Sequence, residues 1–97
     1  MNTVPAIPVN VLNNTTTSHL AAKAAAEFDA GGWTIGTVGN FTGRIPETTA
    51  YYDRGNTAQE NAAEQLQRQF PRILRVLPHY DGLPITGLTV VLAPDWN

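Results

Sequence analysis

Six consecutive amide and hydroxyl side chains, Asn13-Asn14-Thr15-Thr16-Thr17-Ser18, stand between an alternating apolar segment and an alanine-rich one. A loop that joins a strand to a helix presents backbone N–H groups at the helix N-terminus, where an anion or a sugar hydroxyl can bind. The same side chains can instead bond their own backbone, with Ser18 capping the helix. Capping is the simpler account of the composition, yet this loop is still the strongest ligand-binding candidate in the chain.

Covalent chemistry has fewer places to start. An activated nucleophile needs a base beside it and a group that orients the base. Ser18 and His19 are neighbours in sequence, but adjacent side chains at a helix start diverge. His19 and His79 are the only histidines, and neither has a second histidine at ligand spacing. Both are expected at the surface, and no metal site is expected. Asp53 and Asp95 each follow a strand candidate, where α/β sites gather, but turn formation explains both. Gly36-Thr37-Val38-Gly39 falls within a strand rather than between strand and helix, so it makes no phosphate cradle. Trp33, Tyr51, Tyr52 and Trp96 could stack on a sugar or peptide, although strand aromatics more often fill a core. The absence of cysteine excludes disulfides, thiolate metal sites and cysteine nucleophiles. No catalytic residue and no cofactor is assigned.

Composition narrows the partners. Six Lys and Arg against eight Asp and Glu leave a net charge of −2, which argues against a nucleic-acid partner. The basic cluster Arg68, Arg72 and Arg75 surrounds the end of a predicted helix, where cations complement the macrodipole. Ninety-seven residues suffice for one domain with one core. No segment approaches the roughly 20 apolar residues of a membrane span, and no signal-peptide pattern opens the chain. Residues 1–6 read as an abrupt lead-in to a domain over 7–97, so an anchor or signal is expected upstream. The glycosylation-like triplets at Asn13, Asn14 and Asn40 are taken as coincidence.

The elements that must position these residues follow from periodicity. Ile7 to Leu12 alternates as a strand. A helix runs from His19 to Ala30 with Leu20, Ala24 and Phe28 on its apolar face, ended by Gly31-Gly32. Trp33 to Val38 and Thr48 to Tyr52 read as strands. Thr57-Ala58-Gln59-Glu60 has capping-box spacing, and the second helix runs to Phe70 before Pro71 stops it. Ile73 to Leu77 and Gly87 to Leu92 complete the set, the last apolar enough to be covered on both faces. The order is β-α-β-β-α-β-β, an α/β (α+β two-layer) sandwich with a mixed sheet and both helices on one face. A ferredoxin-like arrangement with one extra strand is expected, the other sheet face being solvated or covered by a partner.

Three ordered segments resemble the LytR C-terminal domain family of bacterial envelope proteins. They are Val9-Asn10-Val11-Leu12-Asn13-Asn14 followed by Leu20-Ala21-Ala22-Lys23-Ala24-Ala25; Gly31-Gly32-Trp33-Thr34-Ile35 running on to Val38-Gly39-Asn40; and Thr49-Ala50-Tyr51-Tyr52-Asp53-Arg54-Gly55-Asn56, closed by Val90-Val91-Leu92-Ala93-Pro94-Asp95-Trp96. The family loop usually carries glycines where this chain has Asn14 and His19, and a glycine often precedes the acidic residue near the end. The resemblance implies a non-catalytic accessory module outside the cytoplasmic membrane. It implies a cell-wall glycan or an envelope protein as partner, an anchor as the sole link to the membrane, and a role in envelope integrity. Such domains also follow the catalytic domain of enzymes that attach glycopolymers to the wall. Oligomerisation through an open sheet edge is the alternative.

Overall fold

The computed structural model describes residues 5–96; Met1–Val4 of the expected lead-in segment lie outside the described residues. Their order is β1 (Val9–Asn13), α1 (Leu20–Ala30), β2 (Ile35–Asn40), β3 (Thr49–Tyr52), α2 (Thr57–Gln69), β4 (Arg75–Pro78) and β5 (Thr89–Leu92), then a 3-10 turn at Pro94–Trp96. The expected element order and mixed sheet hold. The five strands lie in the order β2-β1-β5-β3-β4. β1 pairs in parallel with β2 and with β5, β3 pairs in parallel with β4, and β3 meets β5 antiparallel.

This strand order refines the ferredoxin-like expectation. In a split β-α-β unit another strand separates the parallel partners. Here the partners of each unit are direct neighbours, and β5 joins the two units at the centre. Burial explains its place: all four β5 residues are buried, as its apolar run predicts for a strand covered on both faces.

One face of the sheet carries both helices. Leu20, Ala24, Ala25 and Phe28 of α1 and Ala62, Ala63 and Leu66 of α2 close over Val9, Val11, Ala50, Val90 and Leu92. Ala24 and Ala63 are fully buried, so small side chains set how near the helices lie. Phe28 is the aromatic hub, edge-on to Phe70 at 4.8 Å and to Trp96 at 5.8 Å. The opposite face is covered in part by the chain itself. Leu12, Tyr51 and Val91 are covered by Phe41, Ile45 and Leu83, which come from the chain's own connecting segments.

Several local expectations move. The first helix is not capped by Ser18; its N-cap is His19, left-handed at φ 64° and making no side-chain cap bond. The second is capped by Asn56, whose side chain accepts from the Gln59 amide at 3.0 Å, one residue earlier than the Thr57–Glu60 box. β2 starts two residues after Trp33, because the Trp33 amide still donates to Phe28 O at 3.1 Å after Gly32 turns at φ 100°. β1 and β2 slip between Val9 and Val11, giving a bulge on β2. Asn10 fills the slip: its Oδ1 accepts from the Thr37 amide at 2.8 Å and its Nδ2 donates to Thr86 O at 3.2 Å. A Cβ on Gly36 would meet that same Oδ1, so the bulge needs glycine there.

Candidate functional site: the cleft between β1 and α1

β1 ends in Asn13, a buried polar residue whose side chain folds the loop after it. Its Oδ1 accepts from the Thr15 amide at 2.9 Å and the Thr15 hydroxyl at 2.6 Å, while its Nδ2 donates to Thr17 O at 2.8 Å. The Thr15 hydroxyl in turn accepts from the Thr17 amide at 3.1 Å. Asn13 and Thr15 are thus committed to loop structure. The hydroxyls of Thr16, Thr17 and Ser18 make no bond among the described residues, and all three residues are exposed.

These residues form one wall of a cleft of about 500 Å³, lined by Asn13 and Thr15–Ser18, by His19, Ala21 and Ala22 at the start of α1, and by Val38, Gly39 and Asn40 of β2. It opens at the C-terminal ends of two adjacent parallel strands, where crevices of α/β sheets gather. No Asp, Glu, Lys or Arg lines it; His19 is its one titratable residue. Val38, 43% exposed, adds an apolar patch.

Five of the six loop residues singled out in the sequence meet in this cleft. Asn14 does not. Its Nδ2 donates to the carbonyls of Phe41 and Gly43 and its Oδ1 accepts from the Ile45 amide at 3.0 Å, so it pins the segment that covers the second sheet face. Val38 to Asn40 carried no sequence signal as cleft residues, since only parallel pairing with β1 brings them beside the loop.

The remaining candidates lie outside this cleft. Asp53 accepts from the Gly87 amide at 2.9 Å and from Gln59 Nε2 at 3.2 Å, bonds that reach well beyond its own turn. Asp95 holds Thr48 across the chain. His79 is half-buried rather than at the surface, with Nε2 enclosed and unpartnered among the described residues. Trp33, Tyr51 and Trp96 are buried, and Trp33 donates its indole N–H to Gln69 at 2.9 Å. The arginines separate: Arg68 sits in the last turn of α2, Arg72 stacks 4.1 Å over the Trp96 ring, and Arg75 donates to the Thr49 hydroxyl at 3.1 Å. Among the described residues no group of three or more His, Asp or Glu could hold a metal ion. No helix among them is long and apolar enough to cross a membrane.

The sheet order, the two helices on one face and the uncharged cleft define a small α+β module. The model of the family described as LytR cell envelope-related transcriptional attenuator, LytR_C, matches residues 6–96, and the chain belongs to that family. It is therefore a domain of a kind associated with the cell envelope. The solution structure of the C-terminal domain of RV0431 is similar at 27% identity and a TM-score of 0.59, over 95% of this chain and 75% of that one. No curated protein matches the chain.

Proposed function

We propose that this domain is a non-catalytic, extracytoplasmic module of a cell-envelope protein that binds a cell-wall glycan through the β1–α1 cleft. One observation carries the ligand class: the cleft has free hydroxyls, an α1 N-terminus without a side-chain cap, and no charged Asp, Glu, Lys or Arg lining it. A strongly charged ligand would find no opposite charge there, whereas sugar hydroxyls both donate and accept. Exposed Val38 offers an apolar surface for the carbon face of a sugar ring. Membership of an envelope family supports the setting. In this reading the full-length protein is held to the outer side of the cytoplasmic membrane by an anchor, and the domain supports envelope integrity.

Amide NMR of the labelled domain titrated with soluble peptidoglycan fragments tests the reading. Saturable shifts of residues 13–19 and 38–40 are expected. Unchanged spectra at millimolar fragment would sink it. A second reading, assembly, is favoured by one feature: β2 is an edge strand without a charged residue or proline, the kind of edge that invites pairing. Light scattering over a concentration series decides that case, since a strict monomer excludes it.

A further inference from the structure

A second concavity, of about 440 Å³, lies on the β3–β4 half of the sheet, on the face away from the helices. That volume falls within the usual range for ligand sites, roughly 300–1,000 Å³. Its floor is apolar and aromatic. Tyr51 and Tyr80 lie with ring centroids 5.3 Å apart and planes tilted by 52°, beside Leu77. The charged residues that line it are Arg44 and Arg75, with no carboxylate among the lining. Arg75 is steadied by its bond to the Thr49 hydroxyl at 3.1 Å and by Glu47 at 3.9 Å. Arg44 is exposed and has no partner among the described residues. A chain of net charge −2 thus puts two of its six basic residues around one apolar floor.

We propose that this cleft binds an amphiphilic anion, a single phosphate or carboxylate head on an aliphatic body. The head sits between Arg44 and Arg75, whose planar guanidinium groups suit oxyanions in a two-point fit. The aliphatic body lies over Tyr51, Tyr80 and Leu77. Burial pushes both phenols above their ordinary value, so their hydroxyls stay neutral and able to donate to the head. An acidic peptide suits the site less well. It would bring a row of backbone amides that need partners once desolvated, and the lining side chains offer only two guanidinium groups and two phenols.

The test is an NMR titration of the 97-residue chain with octyl phosphate, inorganic phosphate, 1-octanol and an acetylated Leu-Glu-Leu-Glu peptide. Octyl phosphate is expected to shift Tyr51, Leu77 and Tyr80 saturably, with affinity at least about tenfold above either phosphate or octanol alone. Added salt should weaken it by screening. Arg44→Gln, at an exposed side chain, should leave the spectrum of the free protein intact and lower affinity by about five- to tenfold. The idea is overturned if octyl phosphate gives no saturable shift, binds no better than octanol, is indifferent to Arg44→Gln, or is outcompeted by the peptide. Because the signals come from β3, β4 and Tyr80, the outcome is independent of glycan binding at the β1–α1 cleft.

Discussion

Asp95 holds Thr48 from 47 positions away: both carboxylate oxygens accept the Thr48 amide at 3.1 Å, and Oδ1 accepts its hydroxyl at 2.6 Å. The Thr48 hydroxyl in turn accepts from the Ala93 amide at 3.0 Å. Thr48 is fully buried. The acidic residue near the chain's end is therefore a clasp between the start of β3 and the end of β5.

Removing the clasp should cost stability rather than function. In Asp95→Ala, a buried amide and hydroxyl lose a charged acceptor, a loss of about 1–3 kcal/mol, more when the acceptor is charged. For a domain this small, each kcal/mol lowers Tm by about 4–8 °C. Asp95→Asn keeps an acceptor and should fall between wild type and alanine. Thermal unfolding of the three proteins checks the order; an Asp95→Ala Tm equal to wild type would refute the clasp.

Asn14 and Thr16 separate structure from binding within one loop. Asn14→Ala leaves the Phe41 and Gly43 carbonyls and the Ile45 amide without their partner, at a cost of about 1–3 kcal/mol. Asn14→Asp should be worse, since it sets a carboxylate against two carbonyls. Thr16→Val, at an exposed residue whose hydroxyl makes no internal bond, should leave Tm within about 1–2 °C while weakening glycan binding. Denaturation and NMR titration on the same variants decide it. Equal Tm for Asn14→Ala and wild type would contradict the structural role.

What the sequence made legible was periodicity and punctuation. The apolar run of β5 announced a strand buried on both faces, and Gly31-Gly32 and Pro71 marked helix ends that the structure keeps. What stayed hidden depends on contacts distant in sequence. Asn14 is a loop asparagine by composition, and its partners lie 27 to 31 residues away. Asn10 reads as the polar member of an alternating strand, but it completes a bulge in β2. Ser18 is the better cap by residue type, but His19 holds the N-cap position, and the Asn13 side chain bonds to Thr15 and Thr17 across the loop before it. The Thr15–Ser18 part of the candidate cleft could be read from the sequence; the β2 wall could not, since it needs the parallel register of β1 and β2.

His19 at φ 64° is a side chain in backbone space that glycine occupies freely. Left-handed residues with a Cβ cost roughly 1–2 kcal/mol, and glycine gives back part of that, about 0.4–1 kcal/mol, through the entropy of the unfolded chain. His19→Gly should therefore stabilise by about 0.5–1 kcal/mol, seen as a small rise in Tm. His19→Val, β-branched at the same φ, should destabilise. A Tm order of valine above glycine would show that the N-cap does not adopt this conformation in solution.

All three tyrosines are displaced in the same direction, and that gives the fold an alkaline limit. Burial is the largest cause for Tyr51, Tyr52 and Tyr80, each raised above the ordinary 10.0 or thereabouts. Where the folded phenol binds its proton more tightly than the unfolded one, the native state carries more protons between the two values, so stability falls as pH rises. The tyrosine contribution should be complete below the unfolded phenol value, around pH 10, and lost as pH climbs through the folded values. Tyr51 is the most informative to remove, since it is packed under the second face with Ile45 and Leu83, and Arg75 only partly offsets its burial. Tyr51→Phe should flatten the decline above pH 10. Denaturant unfolding at a series of alkaline pH values measures the slope, and phenolate absorbance measures the titration. Native and denatured protein ionising at the same pH would refute the prediction.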